Sequence, residues 1–339
     1  TRGRAFTKKE EIFALQKERT VQVKETTEAF FQSVRSFRNE FRKKAPFNFE
    51  GAPDEAYAML DDYHERLVTL QAGADQLNAL EDLFELDVSR FTEFRDTLKE
   101  LRLLYKLWDL KSMVSLTYES WEQMLWSEAN TDDLQTQNGK LSDFQTKTLA
   151  ERDPIIKAWG VYKQIEDQIK NMKLTLPLIA QLHSDALRKR HWTRLAEICG
   201  VKSLDPEDPS FTLEEVFKLG LHRHGTDVED VVDTAGKQSK IEKKLSAIEA
   251  NWASAVIGFA KHKDDSDVML IRPSEELLEM LENDTMELQT VKGMGKYAEF
   301  FQDKVTIWDT NMQEMDEVLK IWGNVTKAWS DLEVIFMES

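Results

Sequence analysis

The segment 226–255 carries the feature that most constrains this chain, a stripe of residues spaced alternately three and four apart. Such spacing places side chains along one face of an α-helix and predicts that this face is buried against a partner. Thr226 and Glu229 form a T-x-x-E pattern, which predicts a capping box at the helix start. The stripe consists of Val228, Val231, Ala235, Gln238, Ile241, Leu245, Ile248, Trp252 and Ala255, in which Gln238 is the polar exception.

Directly after this helix the periodicity changes to that of short strands. The apolar, β-prone runs VIGFA (256–260) and VMLI (268–271) flank the polar segment KHKDDSD. This arrangement predicts a β-hairpin over residues 256–271. Strands do not alternate with helices in the remaining sequence, so a doubly wound nucleotide-binding fold is not supported.

Three further helices are predicted before residue 126. The first spans residues 8–44 and ends at a proline-containing segment, APFNFEGAP. The second spans 54–71 and is interrupted by AGAD (72–75), and the third continues for about ten turns from Phe91 to Leu125. Their buried faces are predicted to contain Ile12, Leu15, Phe30, Val34, Phe37 and Phe41 in the first, Tyr57, Leu60, His64 and Leu67 in the second, and Phe91, Phe94, Leu98, Leu101, Tyr105 and Trp108 in the third.

Helix signals continue downstream of residue 150. Asp153-Pro154 and Pro273-Ser274 are predicted helix starts, Pro177 is a predicted kink or new start before a helix at 176–199, and Gly293–Gly295 is a predicted break. Thr212 and Glu215 form a second T-x-x-E pattern. With at least eight helices and one hairpin, the chain is predicted to be predominantly all-α, an elongated stack of long helices and helical bundles.

Aromatic usage changes along the chain. All nine Trp residues lie at or after Trp108, whereas eleven of the eighteen Phe residues lie before residue 95. We expect one packing unit to pass into another near residue 100. The chain begins at Thr1 and ends directly after an apolar periodic segment, so we expect it to be a fragment of a larger protein.

The charge distribution bears on the partners of this chain. The net charge of −17 argues against bulk nucleic-acid binding, which requires a basic surface. Residues 1–44 nevertheless carry twelve Lys and Arg against six Asp and Glu, a net charge of +6 that leaves −23 for the rest. This basic segment is either a solvated helix face or an arm for an acidic partner. No apolar run reaches the roughly 20 residues of a membrane span, so no membrane partner is expected.

Motifs that carry chemistry are weak or missing in this sequence. Gly293-Met294-Gly295-Lys296 lacks the P-loop pattern, His222 and His224 have no companion ligands at metal-site spacing, and Ser and His occur without a nucleophile-elbow sequence. The acidic pairs Asp132-Asp133 and Asp264-Asp265 fall in loop-like positions. The single cysteine, Cys199, is expected to be a small hydrophobe near a helix end. We therefore predict no catalytic, cofactor-binding or metal site in this chain.

Four segments in the same order resemble dynein heavy chains at the junction between the tail and the motor's linker. The first, residues 77–110, is similar to the last tail helices of that family. The others share its sequence patterns at Pro177, Leu182, Arg188, Arg190, His191 and Trp192, at Ala235, Lys237, Ile241, Glu242, Leu245, Ile248 and Trp252, and at Trp322, Val325, Trp329, Leu332, Glu333, Ile335, Phe336 and Ser339. The chain departs from the family pattern at Gln238, where Glu is usual. The form VLKIW…AWSDLE is more similar to axonemal heavy chains, of outer-arm β type, than to cytoplasmic dynein.

The resemblance implies a mechanical part of an ATP-driven, microtubule-based motor. Residues 1–100 would be the C-terminal part of the tail, and residues 101–339 the N-terminal part of the linker, the helical rod that crosses the ring of AAA+ modules. ATP and Mg²⁺ would bind elsewhere in the parent chain, so this fragment is not itself an enzyme. The implied partners are dynein intermediate and light chains, neighbouring heavy chains, the chain's own AAA+ ring and, through the parent motor, microtubules. The implied location is the axoneme of a cilium or flagellum, with the cytoplasm as the alternative.

A helical scaffold or tether of spectrin-like type, without motor function, is the competing interpretation. Two features of the sequence weigh against it. Simple helical-repeat scaffolds are not expected to contain a hairpin directly after a long helix. The sequence also shows no convincing repeat period.

Overall fold

The computed structural model describes residues 2–262 and 269–337. In this part of the chain ten α-helices dominate, and the only named strands form one two-stranded hairpin. The prediction of a predominantly all-α fold with one small hairpin is confirmed. The helices are α1 (Arg2–Lys44), α2 (Pro53–Leu83), α3 (Thr92–Glu122), α4 (Thr131–Asp143), α5 (Gly160–Leu182), α6 (Lys189–Cys199), α7 (Leu213–Phe217), α8 (Gly225–Ser254), α9 (Glu275–Gly293) and α10 (Gln302–Met337), and the strands are β1 (Phe259–Lys261) and β2 (Met269–Ile271).

The chain divides into two compact units. Unit 1 contains the residues up to 177 together with 206–222, and unit 2 contains residues 178–205 and 223–339. Helix α5 therefore contributes its first part to unit 1 and its last residues to unit 2.

Unit 1 has a core built by α1, α2 and α3 and extended by the segments up to α5. Trp108 is fully buried, and its indole N–H donates to the carbonyl oxygen of Pro46 at 3.0 Å. Phe41 of α1 meets Tyr63 of α2 edge-to-face at 5.3 Å between ring centroids. One continuous cluster of buried residues extends from Val34 to Ile169. Because this cluster passes through residue 100, the change in aromatic usage does not mark a break in packing there.

Several details of α1 and α2 differ from the prediction. AGAD (72–75) does not interrupt α2, which continues to Leu83. Gly73 lies against the Phe30 ring, and a Cβ added to Gly73 would come within 3.2 Å of that ring. The small residue allows α1 and α2 to approach closely. Tyr63, not His64, occupies the buried face of α2. Ile12 and Leu15 do not extend the buried stripe of α1, since both are 58% exposed.

Helix α3 ends before its predicted position, and α4 lies where no helix was predicted. The 31-residue helix α3 stops at Glu122, and Leu125 instead forms an isolated β-bridge with Thr212. The pair Asp132-Asp133 is not in a loop but in the first turn of α4, where carboxylates are favoured by the helix dipole. The side chain of Asn130 caps this helix by accepting from the N–H of Asp133 at 3.3 Å.

The proline and capping signals between residues 150 and 217 were only partly correct. Pro154 opens a short 3₁₀ helix (Pro154–Ala158), but Asp153 does not cap it and pairs with Lys99 at 2.9 Å. Pro177 lies inside α5 without ending it, and the predicted helix 176–199 is divided because α5 stops at Leu182. Thr212 precedes α7, but its side chain makes no capping hydrogen bond.

Unit 2 is organised around α8, whose predicted face is confirmed. Seven stripe residues, from Val228 to Ile248 and including Gln238, are buried, and Trp252 is partly buried. The predicted capping box is wrong, because α8 already begins at Gly225 and no side-chain cap forms. Helices α9 and α10 pack with α8 around Leu288, Val291 and Val305.

The start of α9 and the hairpin follow the prediction more closely. Ser274 caps α9 by accepting from the N–H of Leu277 at 3.2 Å, and α9 ends at Gly293, where a break was predicted. Strands β1 and β2 pair antiparallel, with Phe259 opposite Ile271. The strands are shorter than the predicted runs, and residues 263–268, with the acidic pair Asp264-Asp265, lie outside the described residues.

Candidate functional site

The residues examined for chemistry do not come together in the structure. His222 lies in a 3₁₀ turn, and the Nδ1 atom of His224 is 3.8 Å from a carboxylate oxygen of Asp227. Within residues 2–262 and 269–337, no three His, Cys, Asp or Glu side chains are grouped to hold a metal ion. Cys199 is the partly buried last residue of α6, and burial raises the pKa of its thiol, which disfavours the reactive thiolate. Gly295, at φ 56°, lies just past the end of α9.

The most developed polar site in unit 2 is the junction between α6 and α8. Its first part is a cap at the start of α6. Backbone N–H of Arg188 donates to Nδ1 of His191 at 3.0 Å, so the histidine ring satisfies a donor that the helix leaves unpaired. We call this site, formed by Arg188, Arg190, His191, Gln238 and Glu242, the α6–α8 junction.

The cap fixes how His191 binds α8. Because Nδ1 accepts a hydrogen bond, it carries no proton, and the ring's proton lies on Nε2. Nε2 therefore donates to Oε1 of Gln238, 3.0 Å away. Burial lowers the pKa of His191 below its ordinary value, and the hydrogen bond to Gln238 offsets only part of this effect. His191 is a neutral donor in this site.

Gln238 accepts a second hydrogen bond, from Nε of Arg190 at 2.7 Å. Arg190 then reaches Glu242 with Nη2 at 2.8 Å, and its guanidinium lies 4.2 Å from the centroid of the Phe300 ring. Burial alone would raise the pKa of Glu242, but the bonds and charges of Arg190 and Arg188 outweigh it and hold that pKa below its usual value. One arginine thus joins α6 to α8 and to an aromatic residue just before α10.

A second polar contact joins α8 to α9. The indole N–H of Trp252 donates to Oδ2 of Asp284 at 2.9 Å, and the Asn251 amide donates to the same carboxylate. Asp284 is only 6% exposed. About two turns toward the start of α8, Lys244 pairs with Glu287. These contacts fix the register of the two helices.

The junction joins helices α6 and α8 of the same chain through hydrogen bonds and an ion pair. His191 faces an amide, and its other nitrogen is occupied by a backbone N–H, so it has no nucleophile to activate. The sequence did contain one signal for this site. A polar residue at a buried stripe position requires a hydrogen-bond partner, and Gln238 is such a residue.

None of the described helices has the length and apolar character needed to cross a bilayer. Unit 2 packs long helices around an apolar core and joins them by buried polar contacts. The fold and the junction together define an all-α structural module.

Comparison with known proteins identifies the family of this module. Residues 94–339 match the family model "Dynein heavy chain, N-terminal region 2", and the chain belongs to the dynein heavy chain family. It is 32% identical over 348 residues to the flagellar outer-arm dynein beta chain of Chlamydomonas reinhardtii, covering 98% of this chain. It is 30% identical to the ciliary dynein beta chain of Heliocidaris crassispina and 28% identical to human dynein axonemal heavy chain 9, over 100% and 99% of this chain.

The family resemblance drawn from the sequence, including its axonemal and outer-arm β character, is thereby confirmed. The chain spans about 7% of the length of each of these relatives. Each of these relatives is therefore about fourteen times as long as this chain.

Proposed function

We propose that this chain is a mechanical segment of an axonemal dynein heavy chain, which transmits the movement of the linker to the tail. Residues 1–100 would belong to the tail and residues 101–339 to the linker, although α3 passes through residue 100 without a break. The parent motor would bind ATP and Mg²⁺ in its AAA+ ring and act on microtubules in the axoneme. Intermediate chains, light chains and neighbouring heavy chains would be its partners.

The observation that carries this proposal is the α6–α8 junction. A segment that transmits force must resist sliding and rotation of one helix along another. An apolar face alone is non-directional, whereas hydrogen bonds hold particular atoms at fixed distances. Arg190 contacts Gln238, Glu242 and Phe300 at once, so any slip of α6 along α8 breaks several directional contacts together. This geometry supports a stiff element.

The test is Arg190→Ala in the full-length heavy chain, with microtubule gliding velocity and ATP hydrolysis measured together. We expect the velocity to fall several-fold while the hydrolysis rate per motor is retained, because force is generated but poorly transmitted. Arg194→Ala is the matched control, since Arg194 lies on the same helix and is exposed, and its one ion pair within residues 2–262 and 269–337 is with Glu197 of α6. An unchanged velocity, with the junction shown to be loosened by hydrogen exchange, would exclude a role in force transmission.

A further inference from the structure

A groove in unit 2 lies between the hairpin and α10 and has no role in the mechanical proposal. Its volume is about 730 Å³, within the range of about 300–1,000 Å³ that is typical of ligand sites. One wall is formed by β1, β2 and the residues that follow β2, and the other by α10 between Asp316 and Ser330. At 1.5 Å per residue, this stretch of helix is about 21 Å long. We call it the hairpin groove.

Positive charge is concentrated on both walls of this groove. Lys261 and Arg272 lie on the hairpin wall, and Lys320 and Lys327 on the helix wall. Lys320 is neutralised by Asp316, 2.6 Å away. Lys261, Arg272 and Lys327 have no ion-pair partner among residues 2–262 and 269–337, and all three are exposed. Among the described residues, three exposed cations without an ion-pair partner therefore surround one groove.

Between these cations the groove has an apolar lining. Leu270 of β2 and Leu319 and Trp322 of α10 contribute it, and Trp322 is 39% exposed. Gly323 on the helix side borders open space, since an added Cβ there would meet nothing within 4 Å. The surface therefore offers an apolar strip with cationic groups on both sides.

We propose that the hairpin groove binds a short acidic segment of another polypeptide, with a large apolar side chain flanked by carboxylates. The apolar side chain would pack on Trp322 and Leu270. The carboxylates would pair with Lys261 and Arg272 on one side and with Lys327 on the other. Charge complementarity selects this partner, because the apolar strip alone would accept any hydrophobic segment whereas the paired cations favour acidic flanks. A simple inorganic anion would leave the apolar strip unused.

Binding of labelled peptides to the 339-residue chain, followed by fluorescence anisotropy, tests this proposal. The probe is the peptide Glu-Glu-Leu-Phe-Glu-Glu, and the comparison peptides are Gln-Gln-Leu-Phe-Gln-Gln and hexaglutamate. We expect the first peptide to bind at least tenfold more tightly than either of the others. Its affinity should fall as salt is added, because salt screens exposed charges.

Variants of the chain locate the binding. The triple variant K261E/R272E/K327E should weaken binding at least tenfold, and Lys327→Gln alone by about threefold as the milder change. The triple variant K240E/K243E/K304E changes the net charge equally on exposed lysines of unit 2 outside the groove, and should bind normally. Circular dichroism and melting of each variant verify that it is folded.

Three results would overturn the proposal. Equal weakening by the two triple variants would mean that only overall charge matters. Equal binding of hexaglutamate and the mixed peptide would mean a plain anion surface. Concentration-dependent dimerisation that the peptide abolishes, measured by sedimentation, would assign the groove to a second copy of this chain.

Discussion

A single side-chain oxygen atom of Gln238 accepts hydrogen bonds from two side chains of α6. Oε1 accepts from Nε of Arg190 and from Nε2 of His191, and the residue is 8% exposed. A carboxylate at this position would accept the same bonds and add a negative charge beside Arg190. The glutamine therefore keeps the geometry of the junction while leaving Glu242 as its anion.

The first prediction concerns loss of this acceptor. Gln238→Leu retains most of the volume but leaves the buried donor of His191 and the partly buried Nε donor of Arg190 without this acceptor, which costs about 1–3 kcal/mol. We expect faster hydrogen exchange of the amides of α6 and α8, measured by mass spectrometry, and a lower melting temperature. Gln289→Leu, at an exposed position of α9, is the control and should change stability by less than about 0.5 kcal/mol. Unchanged exchange in α6 would mean that apolar packing alone holds the junction.

The second prediction is a pH dependence that originates at His191. Burial lowers the pKa of His191 below its ordinary value of 6.5, so the unfolded chain takes up a proton more readily than the folded chain. This contribution to stability is complete above about pH 6.5 and is lost as the pH falls from there to the folded-state pKa. His183, whose pKa burial also lowers, acts in the same direction.

Thermal unfolding between about pH 7.5 and pH 5 measures this effect. Stability should decrease by about 1.4 kcal/mol for each unit that separates the folded and unfolded pKa values. His191→Gln retains an amide donor but does not titrate, and should show a shallower decrease over the same range. Parallel curves for the two proteins would show that His191 is not a source of the dependence.

At the scale of elements, most helix faces could be predicted, whereas several helix ends could not. The α8 stripe followed from spacing alone, because a buried face repeats every 3.6 residues whatever covers it. The start of α8 was misplaced, since T-x-x-E at Thr226 competes with a turn from Leu221 that leads the chain into the helix two residues earlier. The predicted interruption at AGAD was wrong because Gly73 makes room for the ring of Phe30, a residue 43 positions away in the sequence. The hydrogen-bond partners of Gln238 could not be predicted either, because they depend on which helix packs against α8.

The third prediction separates two helix glycines by their surroundings. In α8, a Cβ at Gly236 would meet nothing within 4 Å, so Gly236→Ala should stabilise the chain by about 0.5–1 kcal/mol through reduced backbone entropy. In α2, a Cβ at Gly73 would lie 3.2 Å from the Phe30 ring, so Gly73→Ala should gain less or lose stability. Thermal melting of both variants measures the difference. An equal gain at both positions would show that Phe30 moves aside without cost.

At the scale of the whole molecule, α10 leaves an apolar face uncovered. The residues on this face repeat at helical spacing and are each at least 46% exposed: Val318, Ile321, Val325, Trp329, Leu332 and Phe336. An exposed apolar patch of this length is typical of a surface that contacts other protein. This agrees with a chain that spans about 7% of its relatives. The face could be predicted from the sequence as a helical stripe, but its exposure could not, because spacing does not tell which partner is present.

The last prediction follows from this uncovered face. By itself the chain should self-associate through it, and Val325→Lys with Trp329→Lys should reduce the association at least several-fold. Both side chains are more than half exposed, so the melting temperature should change little. Asn324→Lys adds a charge to an exposed position beside the apolar stripe and serves as the control in sedimentation-velocity experiments over a concentration series. If the control reduces association as much as the double variant does, charge repulsion is the cause; if the double variant melts well below the parent chain, the face is packed and not free.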